Sequence, residues 1–178
     1  MIKLVNSRLG RQNVLDVVNG LLMGKMSYLL AHCFGVRLEE DNGATGRAKK
    51  LQVLINDAAR LVTRRRRSEH VKVADLLDDA KLPTVNKIVV RESAMSAWNA
   101  LSPHSGGSPL SETFETLHQD GRTRGASSGV LRMPDDDKNV LIKNAATVWN
   151  RYPDLRAAKS LSSARSYIMR KIWPTIPV

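Results

Sequence analysis

The sequence predicts an all-α protein, on three observations. Apolar residues recur at intervals of three and four along most of the chain, no alternating apolar–polar run is long enough to make a strand, and the breaks fall at glycine- or proline-bearing segments. With 178 residues the chain is long enough to bury one core and carry an extended tail besides.

Val14, Leu15, Val17, Val18, Leu21, Leu22, Met26, Leu29 and Leu30 predict a first helix from about Gln12 to Leu30. Gly20 and Gly24 weaken it, each by up to ~1 kcal/mol relative to alanine, and leave a smooth strip where another helix could approach closely. Asp16, Asn19 and Lys25 interrupt this apolar stretch and argue against a membrane span. After a polar loop at Glu39–Gly46, the series Leu51, Leu54, Ile55, Ala58, Leu61 and Val62 draws one continuous apolar stripe, expected to pack against the first helix. Lys49, Lys50, Gln52, Asn56, Arg60 and Thr63 fall largely on its other side, and Arg64 to Arg67 close the helix.

Val73, Leu76, Leu77 and Ala80 predict a short amphipathic helix. Leu82-Pro83-Thr84 reads as a turn, with Thr84 as N-cap of the next helix. From Val85 to Leu101 the pattern is apolar on more than one side, the mark of a central helix packed on two faces. Residues 102–138 are rich in Gly, Ser and Pro and read as a linker, with at most one turn of helix through Leu110, Phe114 and Leu117. Leu141, Ala145, Val148 and Trp149 mark a helix ending at Tyr152-Pro153. A last helix through Ala164, Ile168 and Ile172 ends at Trp173-Pro174. The organisation expected is a helical domain over 1–101, a low-complexity linker over 102–138 and a basic helical tail over 139–178.

Charge is uneven. The chain has 28 Lys+Arg against 17 Asp+Glu, a net +11. Residues 47–67 hold eight basic groups (Arg47, Lys49, Lys50, Arg60, Arg64, Arg65, Arg66, Arg67) and one acid, Asp57; residues 151–171 hold six basic groups and Asp154 alone. The remainder is close to neutral, so all the excess lies in two short stretches, as expected of surfaces that face a polyanion. Arginine presents a planar fork of donors suited to phosphate oxygens and stays charged at any relevant pH. Aromatic residues are scarce and none interleaves with the first basic run, so contact with the nucleic-acid backbone is expected rather than base stacking. A nuclear-import signal could share the same residues.

No catalytic or metal centre is legible, and no cofactor is expected. Leu76-Leu77-Asp78-Asp79 and Met133-Pro134-Asp135-Asp136 carry paired acids but lack the flanking strands that would present two carboxylates to metal ions. Gly125-Ala126-Ser127-Ser128-Gly129 fits a nucleophile-elbow pattern in letters only, since no buried strand precedes it. Gly43-Ala44-Thr45-Gly46 lacks the spacing of a phosphate loop. His32-Cys33 are adjacent without further ligands, and His70, His104 and His118 have none nearby. Cys33 is the single cysteine, which excludes an intrachain disulfide; with no apolar leader in Met1–Gly10, a nuclear or cytoplasmic, non-secreted location is expected.

The wording of several segments is more specific than composition. Val17-Val18-Asn19-Gly20-Leu21-Leu22-Met23-Gly24-Lys25, then Leu51-Gln52-Val53-Leu54-Ile55-Asn56-Asp57-Ala58-Ala59-Arg60, resemble the region after the palm in jockey-like, non-LTR retrotransposon (LINE-type) reverse transcriptases. So do Arg64 to Arg67 with His70-Val71, Asp75-Leu76-Leu77, Leu82-Pro83-Thr84-Val85-Asn86 and Asn144-Ala145-Ala146-Thr147-Val148-Trp149-Asn150. The resemblance implies a thumb-like domain over 1–101 that holds an RNA/DNA template–primer duplex by its backbone, beside the palm of a parent RNA-directed DNA polymerase. The palm's Phe/Tyr-x-Asp-Asp motif, an endonuclease domain and the cysteine-rich knuckle of some related elements find no match, which implies a fragment or a degenerate copy without catalysis of its own. Two other readings remain: a stand-alone helix-turn-helix DNA-binding protein using Val71–Leu101, and a non-functional retroelement remnant.

Overall fold

In the computed structural model the described residues are 9–38, 46–106, 108–115, 129–134 and 139–177. They are mostly helical, without a strand. Helix α1 spans Arg11–Cys33, with a π-wound turn at Val18–Met23. Then follow α2 (Gly46–Thr63), α3 (Val73–Ala80), α4 (Val85–Leu101), α5 (Ser111–Glu115) and α6 (Val140–Arg151); α7 (Leu161–Tyr167) continues into a π-wound segment, Ile168–Ile172. Short 3-10 turns occupy Arg67–Glu69, Pro153–Ala157 and Trp173–Thr175.

Helix α4 is the axis of the fold, as its apolar pattern predicts. Thr84 Oγ1 accepts the Lys87 N–H at 3.1 Å and caps its start. One side of α4, Val85, Ile88 and Val89, closes a core with Val14, Val18, Met26 and Leu30 of α1, Ile55, Ala59 and Val62 of α2, and Leu76, Leu77 and Ala80 of α3. The other side, Val90, Ala94, Ala97 and Trp98, closes a second core with Phe114, Leu131 and the inner faces of α6 and α7. Burial on both sides explains why the polar–apolar contrast around α4 is weak although eight of its 17 residues are buried.

The division at residues 102–138 does not describe this packing. Phe114 and Leu131, both inside the expected linker, are fully buried, and Asn150 pairs with the Leu131 backbone in both directions at 2.8 Å. Trp98 Nε1 donates to the Ala158 carbonyl at 3.1 Å. The segment 139–177 is therefore one half of the core around α4 rather than an appended tail. Composition reports the polar stretches between such anchors and not the single apolar residues that fasten them. Leu117, Asp135, Asp136, Gly125–Ser128, His118 and Gly43–Thr45 lie outside the described residues.

Two expectations about the first helices also change. The buried face of α2 is Ile55, Ala59 and Val62, while Val53 and Leu54 are about half exposed. Gln52, expected on the solvent side, faces inward, and its Oε1 accepts the Val85 N–H at 2.9 Å. This satisfies one of the four unpaired donors at the start of α4, a demand that a hydrophobic stripe does not register. The inner face of α2 meets α3 more than α1. In α1, no described helix approaches the glycine strip: among the described residues a Cβ at Gly20 would meet nothing within 4 Å, and one at Gly24 would meet the helix's own Asn19 carbonyl at 3.7 Å. By length and composition α1 could cross a membrane, but Val14, Val18, Met26 and Leu30 are buried in the core.

Candidate nucleic-acid interface

Helix α2 carries the first basic stretch at its two ends. Arg47, Lys49 and Lys50 stand exposed in its first turns, where no acid is present. An 18-residue helix is roughly 27 Å long, so these cations and the arginines beyond Thr63 are separated by that span. Helix N-termini carry partial positive charge, so three cations there are placed against the macrodipole. Among the described residues none of the three has a carboxylate within ion-pair distance.

The arginine run does not extend the helix. Arg64 takes left-handed backbone, φ 58°, and the Arg65 N–H returns to the Arg60 carbonyl at 3.1 Å, closing α2 as glycine usually does. The four side chains consequently fan out around a turn instead of tracking one line. Arg64 donates to the Leu9 carbonyl at 3.0 Å. Arg65 pairs with Asp79 at 3.4 Å and reaches Glu69 at 4.0 Å. Arg67 pairs with Asp57 at 2.5 Å, and Asp57 also takes Arg60 at 3.4 Å. Arg66 is in no ion pair among the described residues, and its backbone N–H donates to Glu69 at 2.8 Å. All four arginines are nonetheless exposed, Arg67 at 73%.

Asp79 is the hub of this corner. Arg11 pairs with its carboxylate at 3.0 Å and also donates to its backbone carbonyl. The Arg11 hydrogen bond is the largest influence on the Asp79 carboxyl; desolvation opposes it, and the charge of Arg11, with the hydrogen bond and charge of Arg65, leaves the carboxyl below its ordinary value. In the sequence Asp78-Asp79 is only a pair of acids without a metal-site setting. Asp79 instead joins α3, the start of α1 and the arginine turn, from partners 68 and 14 residues away.

The second basic stretch is exposed at Arg151, Lys159, Arg165, Arg170 and Lys171. Arg156 is folded inward: its guanidinium lies 5.6 Å from the centre of the Trp149 ring and donates to the Trp149 carbonyl at 3.1 Å. Desolvation lowers its pKa. Among the described residues no group of three His, Cys, Asp or Glu side chains could hold a metal ion. Helix α4, which would be the groove-reading element of a helix-turn-helix, packs into a core on each of two sides, so it stands at the centre of the fold rather than on its surface. Set beside protein-family models, curated proteins and solved structures, the chain matches none of them.

Proposed function

We propose that this chain is a thumb-like helical segment that lies along the phosphate backbone of a nucleic-acid duplex and has no catalytic centre of its own. The single observation that carries this reading is the pair of exposed cation clusters at the two ends of α2, one of them set against the helix dipole. Phosphates placed there would meet Arg47, Lys49, Lys50 and Arg66, which have no carboxylate within ion-pair distance among the described residues, and a duplex offers one negative charge per ~1.7 Å of its axis. The resemblance to the post-palm region of LINE-type reverse transcriptases supports the same reading. It names a template–primer duplex as the ligand, a palm domain as the neighbour, and the nucleus or cytoplasm as the location.

Titration of a labelled RNA/DNA hybrid at increasing salt tests it. Neutralising about four to six phosphates gives a log–log slope of about −4 to −5. Replacing Arg47, Lys49, Lys50 and Arg64 to Arg67 with glutamine lowers affinity for all sequences alike and flattens the slope. Unchanged affinity and slope would overturn the reading.

A further inference from the structure

Helix α1 has a second face that no other described residue covers. Opposite buried Val14, Val18, Met26 and Leu30, the residues Asp16, Val17, Gly20, Leu21, Gly24 and Lys25 are all exposed, Leu21 at 65%. The π-wound turn at Val18–Met23 keeps positions four apart nearly in line. Asp16, Gly20 and Gly24 form one row, and Val17, Leu21 and Lys25 form the next.

We infer that this face pairs with the same face of a second copy, the two α1 helices running antiparallel about a two-fold axis between Gly20 and Leu21. A two-fold contact requires a self-complementary surface, and the order of residues supplies one. Asp16 meets Lys25 of the second copy, Val17 meets its Gly24, and Gly20 meets its Leu21; each contact occurs twice. Large side chains enter the gaps left by glycines whose added Cβ would meet no other described element. Acid faces base at both ends. Among the described residues Asp16 is hydrogen-bonded within its own helix, to Gln12 at 2.9 Å, and Lys25 has no carboxylate partner. Charge order selects the second copy over an unrelated helix, and antiparallel over parallel pairing, which would set Asp16 against Asp16 and Lys25 against Lys25.

One helix pair falls at or below the ~1,200 Å² lower end of stable interfaces, so a weak dimer is expected. Sedimentation velocity of the full chain from about 5 to 300 µM should show monomer passing to dimer across that range. Asp16→Lys alone and Lys25→Asp alone each place like charges opposite each other, and each should stay monomeric. An equimolar mixture of the two variants should associate as a heterodimer, and Asp16→Lys/Lys25→Asp in one chain should restore self-association, with helical circular dichroism checked for all three. A wild type that is monomeric throughout, a single variant that dimerises like wild type, or a mixture and double variant that both fail to associate would each overturn the dimer. So would partitioning of the wild type into neutral phosphatidylcholine vesicles in place of association in buffer.

Discussion

Arg65 Nε stands 3.4 Å from Asp79 Oδ2, so one member of the arginine run is held by a carboxylate of the following helix. The four arginines are thus not equivalent. Arg65 and Arg67 are paired with acids, Arg64 is tied to the Leu9 carbonyl, and Arg66 has no acid partner among the described residues. Under the proposed function, Arg66→Gln should weaken hybrid binding a few-fold and reduce the salt slope by about 0.9, with the thermal midpoint unchanged. Arg65→Gln should lower the midpoint slightly and change the slope less, because a phosphate must compete with Asp79 for that guanidinium. Equal effects of the two variants on both readouts would contradict this division.

The same pairing sets a pH dependence. The folded-state pKa of Asp79 is lowered, chiefly by its hydrogen bond from Arg11. A lowered carboxyl contributes stability that is present above its ordinary value and lost as pH falls through the folded value. Asp79→Asn should therefore melt below the wild type at pH 7, and the gap should close on acidification below about pH 4. A gap that stays constant down to about pH 2.5 would show that the carboxylate charge contributes nothing there.

What the sequence disclosed follows from the range of the interactions involved. The short helix at Val73–Ala80, the Thr84 cap and the two-sided α4 depend on spacing within a few residues, and all three are read correctly from the chain alone. The ends of α2 and α3 were harder to assign because Arg64 and Lys81, rather than glycines, take left-handed backbone there. The inward turn of Gln52 depends on a backbone donor 33 residues away, and the burial of Leu131 on an asparagine 19 residues away. No local pattern encodes such pairings. Of the candidate site, the identity of the cations was legible, whereas their partition between internal carboxylates and solvent was not.

Asn144 illustrates the same point and gives a third prediction. In the sequence it is one polar residue of the Asn144–Asn150 segment, and nothing local marks it as structural. Its Nδ2 donates to the Ala31 carbonyl at 3.0 Å and the Phe34 carbonyl at 2.7 Å, and its Oδ1 accepts the Val36 N–H at 2.8 Å. One buried amide therefore satisfies the open end of α1 and the chain that leaves it. Asn144→Ala leaves these backbone groups without that partner and should destabilise the protein by about 2–4 kcal/mol in urea unfolding. Asn144→Asp keeps the shape but loses both donors, and should be no better. A loss under ~0.5 kcal/mol for the alanine variant would mean that water replaces the amide at little cost.

The joint packing of both halves on α4 gives a prediction about truncation. Removing residues 139–178 uncovers Val90, Ala94, Ala97 and Trp98 along the length of α4 and takes away the Ala158 carbonyl that receives the Trp98 indole N–H. Each large apolar side chain returned to water costs about 1.5–3 kcal/mol, and a domain of this size has only about 5–15 kcal/mol in hand. Residues 1–138 alone should lose the cooperative melt, bind a hydrophobic dye and aggregate on warming. Trp98 is the only tryptophan left in that piece, so its fluorescence reports on the exposed face directly and should shift to the red. A cooperative melt with unshifted emission would mean instead that the first three long helices make a complete core, and that the C-terminal helices only rest upon it.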